Sequence, residues 1–136
     1  MTIVLLATDS DSLFRDVDAA LASDDVSVLR VRAGVDVLPV SQQKNPDLIL
    51  LDMQIGNMGG GATCIAVKQE QEAGRLAACP VGLILDRAVD VFLAGEAGAN
   101  GWVIKPADSL RLRRLATALQ AGETSFERAE GRITAS

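Results

Sequence analysis

The sequence predicts an α/β fold: a doubly wound parallel sheet of five strands, in the order 2-1-3-4-5, with helices on both faces. Three observations lead there. Five apolar segments recur along the 136 residues, and stretches of helical period lie between them. The third observation is that the continuous runs lack the alternation of a strand with one wet face, so they suit strands covered on both sides. In such sheets the functional crevice lies outside the carboxyl ends of the strands. The residue that follows each apolar run therefore becomes a candidate for chemistry.

The elements follow in order. Ile3–Ala7 (IVLLA) is the first strand. Leu13, Phe14, Val17, Ala20 and Leu21 then recur at helical spacing, with Ser10 or Ser12 available as a cap. Val26–Val31 (VSVLRV) is interrupted by Ser27 and Arg30, which suits an edge strand whose arginines reach water. A second helix over Val35–Gln43 contains Pro39, acceptable only in a first turn. Leu48–Leu51 (LILL) is the third strand, and Gly61–Ala73 the third helix, stopping near Gly74. Val81–Leu85 (VGLIL) is the fourth strand. Arg87–Ala97 is a short fourth helix that ends in the turn signal Ala97-Gly98-Ala99-Asn100-Gly101. Trp102–Ile104 is the fifth strand. Asp108 caps a fifth helix reaching Ala121, with Leu112, Leu115 and Leu119 on one face. The basic run Arg111, Arg113 and Arg114 reads as that helix's solvated side. The polar, weakly periodic Thr124–Ser136 is expected to be a frayed tail, so residues 1–121 form one domain and 122–136 an extension.

Composition narrows the function. Hydrophobic residues make up 49% but aromatics only 3%, so the core is aliphatic. A net charge of −5 without a basic stripe argues against nucleic-acid binding. The absence of histidine removes His-based acid–base catalysis and His metal sites together. No apolar stretch approaches the ~20 residues of a membrane span. The N-terminus lacks a basic leader, so a cytoplasmic protein is expected. Cys64 and Cys79 are then reduced core thiols, separated by a helix of roughly 20 Å. The run Gly59-Gly60-Gly61 lacks the Lys-Ser/Thr of a phosphate loop and reads as a flexible entry to the third helix.

The strand ends carry the sharper signal. Asp9 follows the first run, Asp52 the third, Asp86 the fourth and Lys105 the fifth. Helix capping explains one carboxylate. Three carboxylates and a lysine at one edge suit a divalent cation held by oxygen ligands, with the lysine neutralising a further anion.

On these residues the chain resembles the response-regulator receiver family, the phospho-acceptor domains of two-component signalling. The matching pieces are Asp9 with Asp11-Ser-Leu-Phe-Arg15, Pro46-Asp-Leu-Ile-Leu-Leu-Asp52, Ala97-Gly-Ala99 and Trp102-Val-Ile-Lys-Pro106, within residues 1–121. The resemblance implies a flavodoxin-like receiver fold. It implies Asp52 as phospho-acceptor, attacking a phosphohistidine on a histidine kinase or phosphotransfer protein. Mg²⁺ would be held by Asp9, Asp52 and the carbonyl of Gln54. Lys105 would bind the phosphoryl oxygens ahead of a cis Pro106, and Trp102 would replace the aromatic that reports phosphorylation.

The pattern also breaks. The family has two adjacent acids after the first strand, and the second is read here as Ser10, so Mg²⁺ binding is expected to be weak. The Thr or Ser after the fourth strand is Asp86, which when ionised cannot donate a hydrogen bond. It would also repel a phosphoryl group by about 4 kcal/mol per charge pair at ~4 Å and a dielectric near 20. Asp86 is expected first to lock the pocket by pairing with Lys105 or Arg87, with an added metal ligand or a merely solvated carboxylate as the alternatives. Gly56 stands where the family has proline, and the segment from Asp86 to Gly98 is about one helical turn short. Trp102 then packs more than it switches.

The sequence therefore reads first as a stand-alone, non-enzymatic receiver with a partly degenerate site. A downstream protein would be its target, and a homodimer could form through the fourth and fifth helices. A pseudo-receiver binding its partner without phosphorylation is the alternative, and a small flavodoxin-like enzyme or cofactor binder the third reading.

Overall fold

The computed structural model describes residues 1–128 and 133–134. Thr2–Ala7 forms β1, Asp11–Leu21 α1, Val26–Val31 β2, Val37–Lys44 α2, Leu48–Asp52 β3 and Gly60–Glu72 α3. Val81–Leu85 forms β4, Val91–Glu96 α4, Gly101–Ile104 β5 and Ser109–Gln120 α5. Two short strands follow, β6 at Ser125–Glu127 and β7 at Ile133–Thr134.

The sheet runs β2-β1-β3-β4-β5-β6-β7. The expected five-strand order is present and all its neighbours are parallel. β1 to β5 therefore end at one edge.

The alternation of side chains along each strand builds two aliphatic layers. Leu5, Ala7, Ile49, Leu51, Leu83 and Leu85 face α2, α3 and α4, where they meet Val37, Cys64, Val67 and Ala94. Val4, Leu6, Leu48, Leu50, Ile84 and Val103 face α1 and α5, where they meet Leu13, Val17, Leu112, Leu115 and Leu119. β3 and β4 are buried along their whole length, which is why their sequences are apolar throughout except for Asp52 at the end of β3.

Caps fix the helix starts. Ser10 Oγ accepts from the Leu13 amide at 3.1 Å, so Ser10 rather than Ser12 caps α1. Asp108 caps α5 through the Arg111 amide at 2.9 Å. α2 and α4 are each entered through a 3₁₀ turn, at Gly34–Asp36 and Ala88–Asp90. Pro39 sits in the first turn of α2, where its missing N–H costs nothing. α4 itself has only six residues.

Three expectations are corrected. The chain after α5 is not a frayed tail over its described part. Ser125–Glu127 joins β5 in parallel, and β7 pairs antiparallel with β6. The physical reason is tertiary: Trp102 Nε1 donates to the Glu127 carbonyl at 2.8 Å, and the Trp102 and Phe126 rings lie 4.5 Å apart. Second, Arg111 is not part of a solvated face, because its guanidinium pairs with the buried Glu127. Third, Arg30 does not reach free water from β2. Its side chain is only 11% exposed, bonded to Asp11 at 2.8 Å and lying 5.3 Å from the centre of the Phe14 ring. Arg32 also reaches Asp11, at 3.1 Å, and the two arginine bonds hold Asp11 below the ordinary carboxylate range, the Arg30 bond first and the Arg32 bond second.

Candidate functional site

The ends of β1, β3, β4 and β5 deliver Thr8 and Asp9, Asp52, Asp86 and Lys105 to one edge of the sheet. Asp52 is the last residue of β3 and only 2% exposed. A buried carboxylate needs partners, and it has three. Its Oδ1 accepts from the Gln54 amide at 3.1 Å and from Lys105 Nζ at 2.8 Å, and its Oδ2 accepts from the Thr8 hydroxyl at 2.7 Å.

Thr8 is the residue that the sequence reading missed. Leu6 pairs with Leu50 and Ala7 with Leu51 across β1 and β3, so the next pair in register is Thr8 with Asp52. The side chain beside Asp52 is therefore Thr8, which is fully buried. Ser10, read earlier as the residue replacing the second acid, is engaged as the cap of α1, and its amide donates to Thr8 Oγ1 at 3.0 Å. Thr8 is the first residue past Ile3–Ala7, as Asp52 is past Leu48–Leu51, and it is the register between the two strands that pairs them.

Lys105 links two carboxylates. Its Nζ lies 2.8 Å from Asp52 Oδ1 and 2.5 Å from Asp86 Oδ1. Of the two partners open to Asp86, Lys105 is the one it takes. Arg87 turns instead to Asp90, whose Oδ2 accepts from the Arg87 amide at 3.1 Å and whose Oδ1 lies 4.0 Å from the Arg87 guanidinium. Burial by itself draws the Lys105 ammonium toward deprotonation. The bonds to Asp52 and Asp86 more than offset this and hold its pKa above the ordinary lysine value. The Lys105–Pro106 peptide is cis.

Asp9 is exposed. Its Oδ2 would lie 3.7 Å from a Cβ built on Gly56, so its carboxylate reaches over the loop that follows β3. That loop is also tied to the turn before α2, through Gly34 N to Gly56 O at 3.2 Å and Val35 N to Asn57 O at 3.0 Å. Among the described residues no three carboxylates or other acidic, thiol or imidazole groups gather tightly enough to cage a metal ion. Mg²⁺ does not require a cage. It keeps several waters and binds through one or two carboxylates plus a phosphate. Asp9 and Asp52 fit such a loosely held ion, with the neutral Thr8 beside Asp52 adding no charge.

Trp102 lies on the opposite side of β5 from Val103, packed with Ala94, Ala97 and Ala99 and 7% exposed. Cys64 and Cys79 are free thiols, Cys64 buried and Cys79 half-buried.

A parallel α/β sheet with a buried carboxylate at its central strand end, gripped by a lysine from a neighbouring strand end, defines a receiver-type signalling module. The chain matches the model of the response regulator receiver domain over residues 4–117 and belongs to that family. It is 31% identical over 109 residues to the transcriptional regulatory protein CseB of Streptomyces avermitilis, covering 79% of this chain and 44% of CseB. It is 26% identical over 124 residues to protein PilH of Pseudomonas aeruginosa, covering 90% of this chain and all of PilH (100%). The chain thus spans about half the length of the transcriptional regulators it matches, 44% of CseB and 53% of AfsQ1 of Streptomyces coelicolor. Among solved structures, the receiver domain of a signal transduction histidine kinase from Syntrophus aciditrophicus superposes with a TM-score of 0.78 at 25% identity, covering 90% of this chain and 92% of that one. Chemotaxis response regulator CheY4 of Vibrio cholerae superposes at 0.75 and 22% identity, covering 88% and 98%. Among the described residues no helix is long and apolar enough to cross a membrane.

Proposed function

We propose that this receiver accepts a phosphoryl group on Asp52 from a histidine kinase or phosphotransfer protein, in a pocket that Asp86 holds partly closed. The observation that carries the reading is Lys105 Nζ lying between Asp52 and Asp86, at 2.8 and 2.5 Å.

The chemistry asked of the chain is positioning and charge. Asp52 Oδ1 and Oδ2 are oriented by Gln54, Lys105 and Thr8, so one carboxylate oxygen can be presented to an incoming phosphorus. Lys105 then exchanges its contact with Asp86 for the phosphoryl oxygens. Asp9, Asp52 and the Gln54 carbonyl are the residues that would hold Mg²⁺, which when bound offsets the charge of the phosphoryl group. Ionised Asp86 offers no hydrogen-bond donor to that group, so the phosphorylated state lacks one stabilising contact.

The same reading carries its setting. The protein works as a cytoplasmic signalling module rather than an enzyme, passing its state to a downstream protein. α4 and its lead-in expose Val89, Phe92 and Leu93, an apolar surface suited to that partner or to a second copy meeting it through α4 and α5. Incubation with acetyl phosphate and Mg²⁺, followed by peptide mass spectrometry, tests the reading. A gain of about 80 Da on the peptide containing Asp52, absent in Asp52→Asn, is expected for a phosphoryl group. No gain under any condition favours a receiver fold that binds its partner without phosphorylation, a second reading supported by the same Lys105 bridge.

A further inference from the structure

The short strand after α5 carries a buried charge that strand pairing alone does not need. Glu127 is 2% exposed, and a carboxylate there persists only if it is fully partnered. All its described partners belong to β5 and α5. Its Oε1 accepts from the Ile104 amide at 2.9 Å and from Arg111 Nη2, and its Oε2 accepts from Arg111 Nε at 2.7 Å. This is a forked contact, which fixes orientation as well as distance. The same guanidinium donates to the Ile104 carbonyl at 2.6 Å and to the Pro106 carbonyl at 2.5 Å. Both backbone polar groups of Ile104 and the carbonyl of Pro106 are thereby fastened to one ion pair. Lys105 is the residue between them.

We infer that β6 is a positioning element for the pocket: Glu127, gripped by Arg111, fixes Ile104 and Pro106 and so sets where the Lys105 ammonium meets Asp52. The inference rests on the proposed function only for its consequence, not for its geometry. Two features tie the strand to a reporter. The Glu127 carbonyl accepts from the Trp102 indole at 2.8 Å, and Phe126 lies against the Trp102 ring. Backbone pairing of Gly101 with Ser125 and of Trp102 with Phe126 completes the seat. Linkage is reciprocal. If seating β6 holds Lys105 on Asp52, a change at Asp52 that moves Lys105 changes how firmly β6 is seated.

The test reads Lys105 directly. The chain has three lysines, Lys44, Lys68 and Lys105. Lys68 is bonded to Asn100, whose backbone carbonyl accepts from the Ser125 amide of β6, so trace acetylation of the folded protein gives the reactivity of Lys105 relative to the exposed Lys44. Glu127→Ala is expected to raise that ratio several-fold. Glu127→Gln, which keeps an acceptor for the Ile104 amide but loses the charge, should fall between. Phe126→Ala, which removes the ring contact and keeps the carboxylate, should shift Trp102 emission and leave the ratio near wild type. An unchanged ratio in Glu127→Ala with shifted Trp102 emission would make β6 mere packing and overturn the inference. If Glu127→Ala does not melt cooperatively, Arg111→Lys loses the fork and carries the same two outcomes. This readout does not depend on whether Asp52 is phosphorylated, so failure of that reading leaves it intact. Where acetyl phosphate does label Asp52, Glu127→Ala should slow labelling in the wild-type background and have no further effect in Lys105→Ala. Equal slowing in both backgrounds would contradict the inference.

Discussion

Thr8 and Asp52 face each other across β1 and β3, with the threonine hydroxyl donating to the buried carboxylate at 2.7 Å. The contact places a neutral donor where a second acid would otherwise strengthen a cation site, and it decides how the pocket responds to substitution.

Thr8→Val removes the hydroxyl and leaves Asp52 Oδ2 without a described protein partner. Loss of a hydrogen bond to a buried charged group costs about 1.5–3 kcal/mol. A lowered urea midpoint with an unchanged m-value is expected. Thr8→Asp should behave differently: it destabilises the metal-free protein by like-charge repulsion and tightens Mg²⁺ binding by adding an oxygen ligand. Calorimetric titration checks this. Ser10→Asp, which retains a capping acceptor for α1, should change Mg²⁺ affinity far less than Thr8→Asp.

Gly101 permits β6 to pair with β5. A Cβ built there would lie 2.4 Å from the Ser125 carbonyl oxygen and 2.9 Å from Leu115 Cδ1. Gly101→Ala should therefore displace the strand or strain α5, at a cost of about 1–3 kcal/mol for overpacking. The expected sign is a red shift of Trp102 emission together with a lower melting temperature. Gly74, where an added Cβ meets nothing within 4 Å but φ is +76°, is a useful contrast. Gly74→Ala should destabilise through backbone strain alone and leave Trp102 emission unchanged.

Both cysteines are set to be sluggish. Burial is the main cause that pushes the thiols of Cys64 and Cys79 up to about 11. At pH 8 such a thiol is about one part in a thousand thiolate, so alkylation should be slow in the folded protein. It should climb roughly tenfold per pH unit until near pH 11. The linkage sign follows. Each raised thiol favours the folded state fully below its unfolded value of 9.0, and that contribution is lost as pH rises toward about 11. Lys105, also raised above its ordinary value of 10.5, acts in the same direction at still higher pH. Thermal stability should therefore decline on the alkaline side, beginning above pH 9. Fast alkylation at pH 8, with the fold intact, would contradict this assignment.

Much of this was legible in the sequence because burial on both faces leaves an unmistakable mark. The runs Leu48–Leu51 and Val81–Leu85 could be little else than central strands, and their ends named Asp52 and Asp86. What stayed hidden depended on contacts between distant residues. Ser125-Phe-Glu127 is too short for a period, and its glutamate argues against burial until Arg111 is seen to meet it. Arg111 in turn looked solvated because a basic residue in a helix is assigned to water unless its partner is known. Thr8 was hidden by register: a run of apolar residues fixes a strand but not which neighbour's end it meets. The 3₁₀ turns before α2 and α4 left no periodic trace at all.

Under the proposed function Asp86, through Lys105, competes with a phosphoryl group for the pocket. Asp86→Thr removes one negative charge, supplies a hydroxyl donor and releases Lys105 from its 2.5 Å contact. The decisive measurement is the fraction of Asp52 phosphorylated by acetyl phosphate in wild type, in Asp86→Thr and in Asp86→Thr combined with Asp52→Asn. Expected are sparse labelling of wild type, a severalfold gain in Asp86→Thr, and none in the double variant. Full labelling of wild type, with no gain in Asp86→Thr, would contradict it.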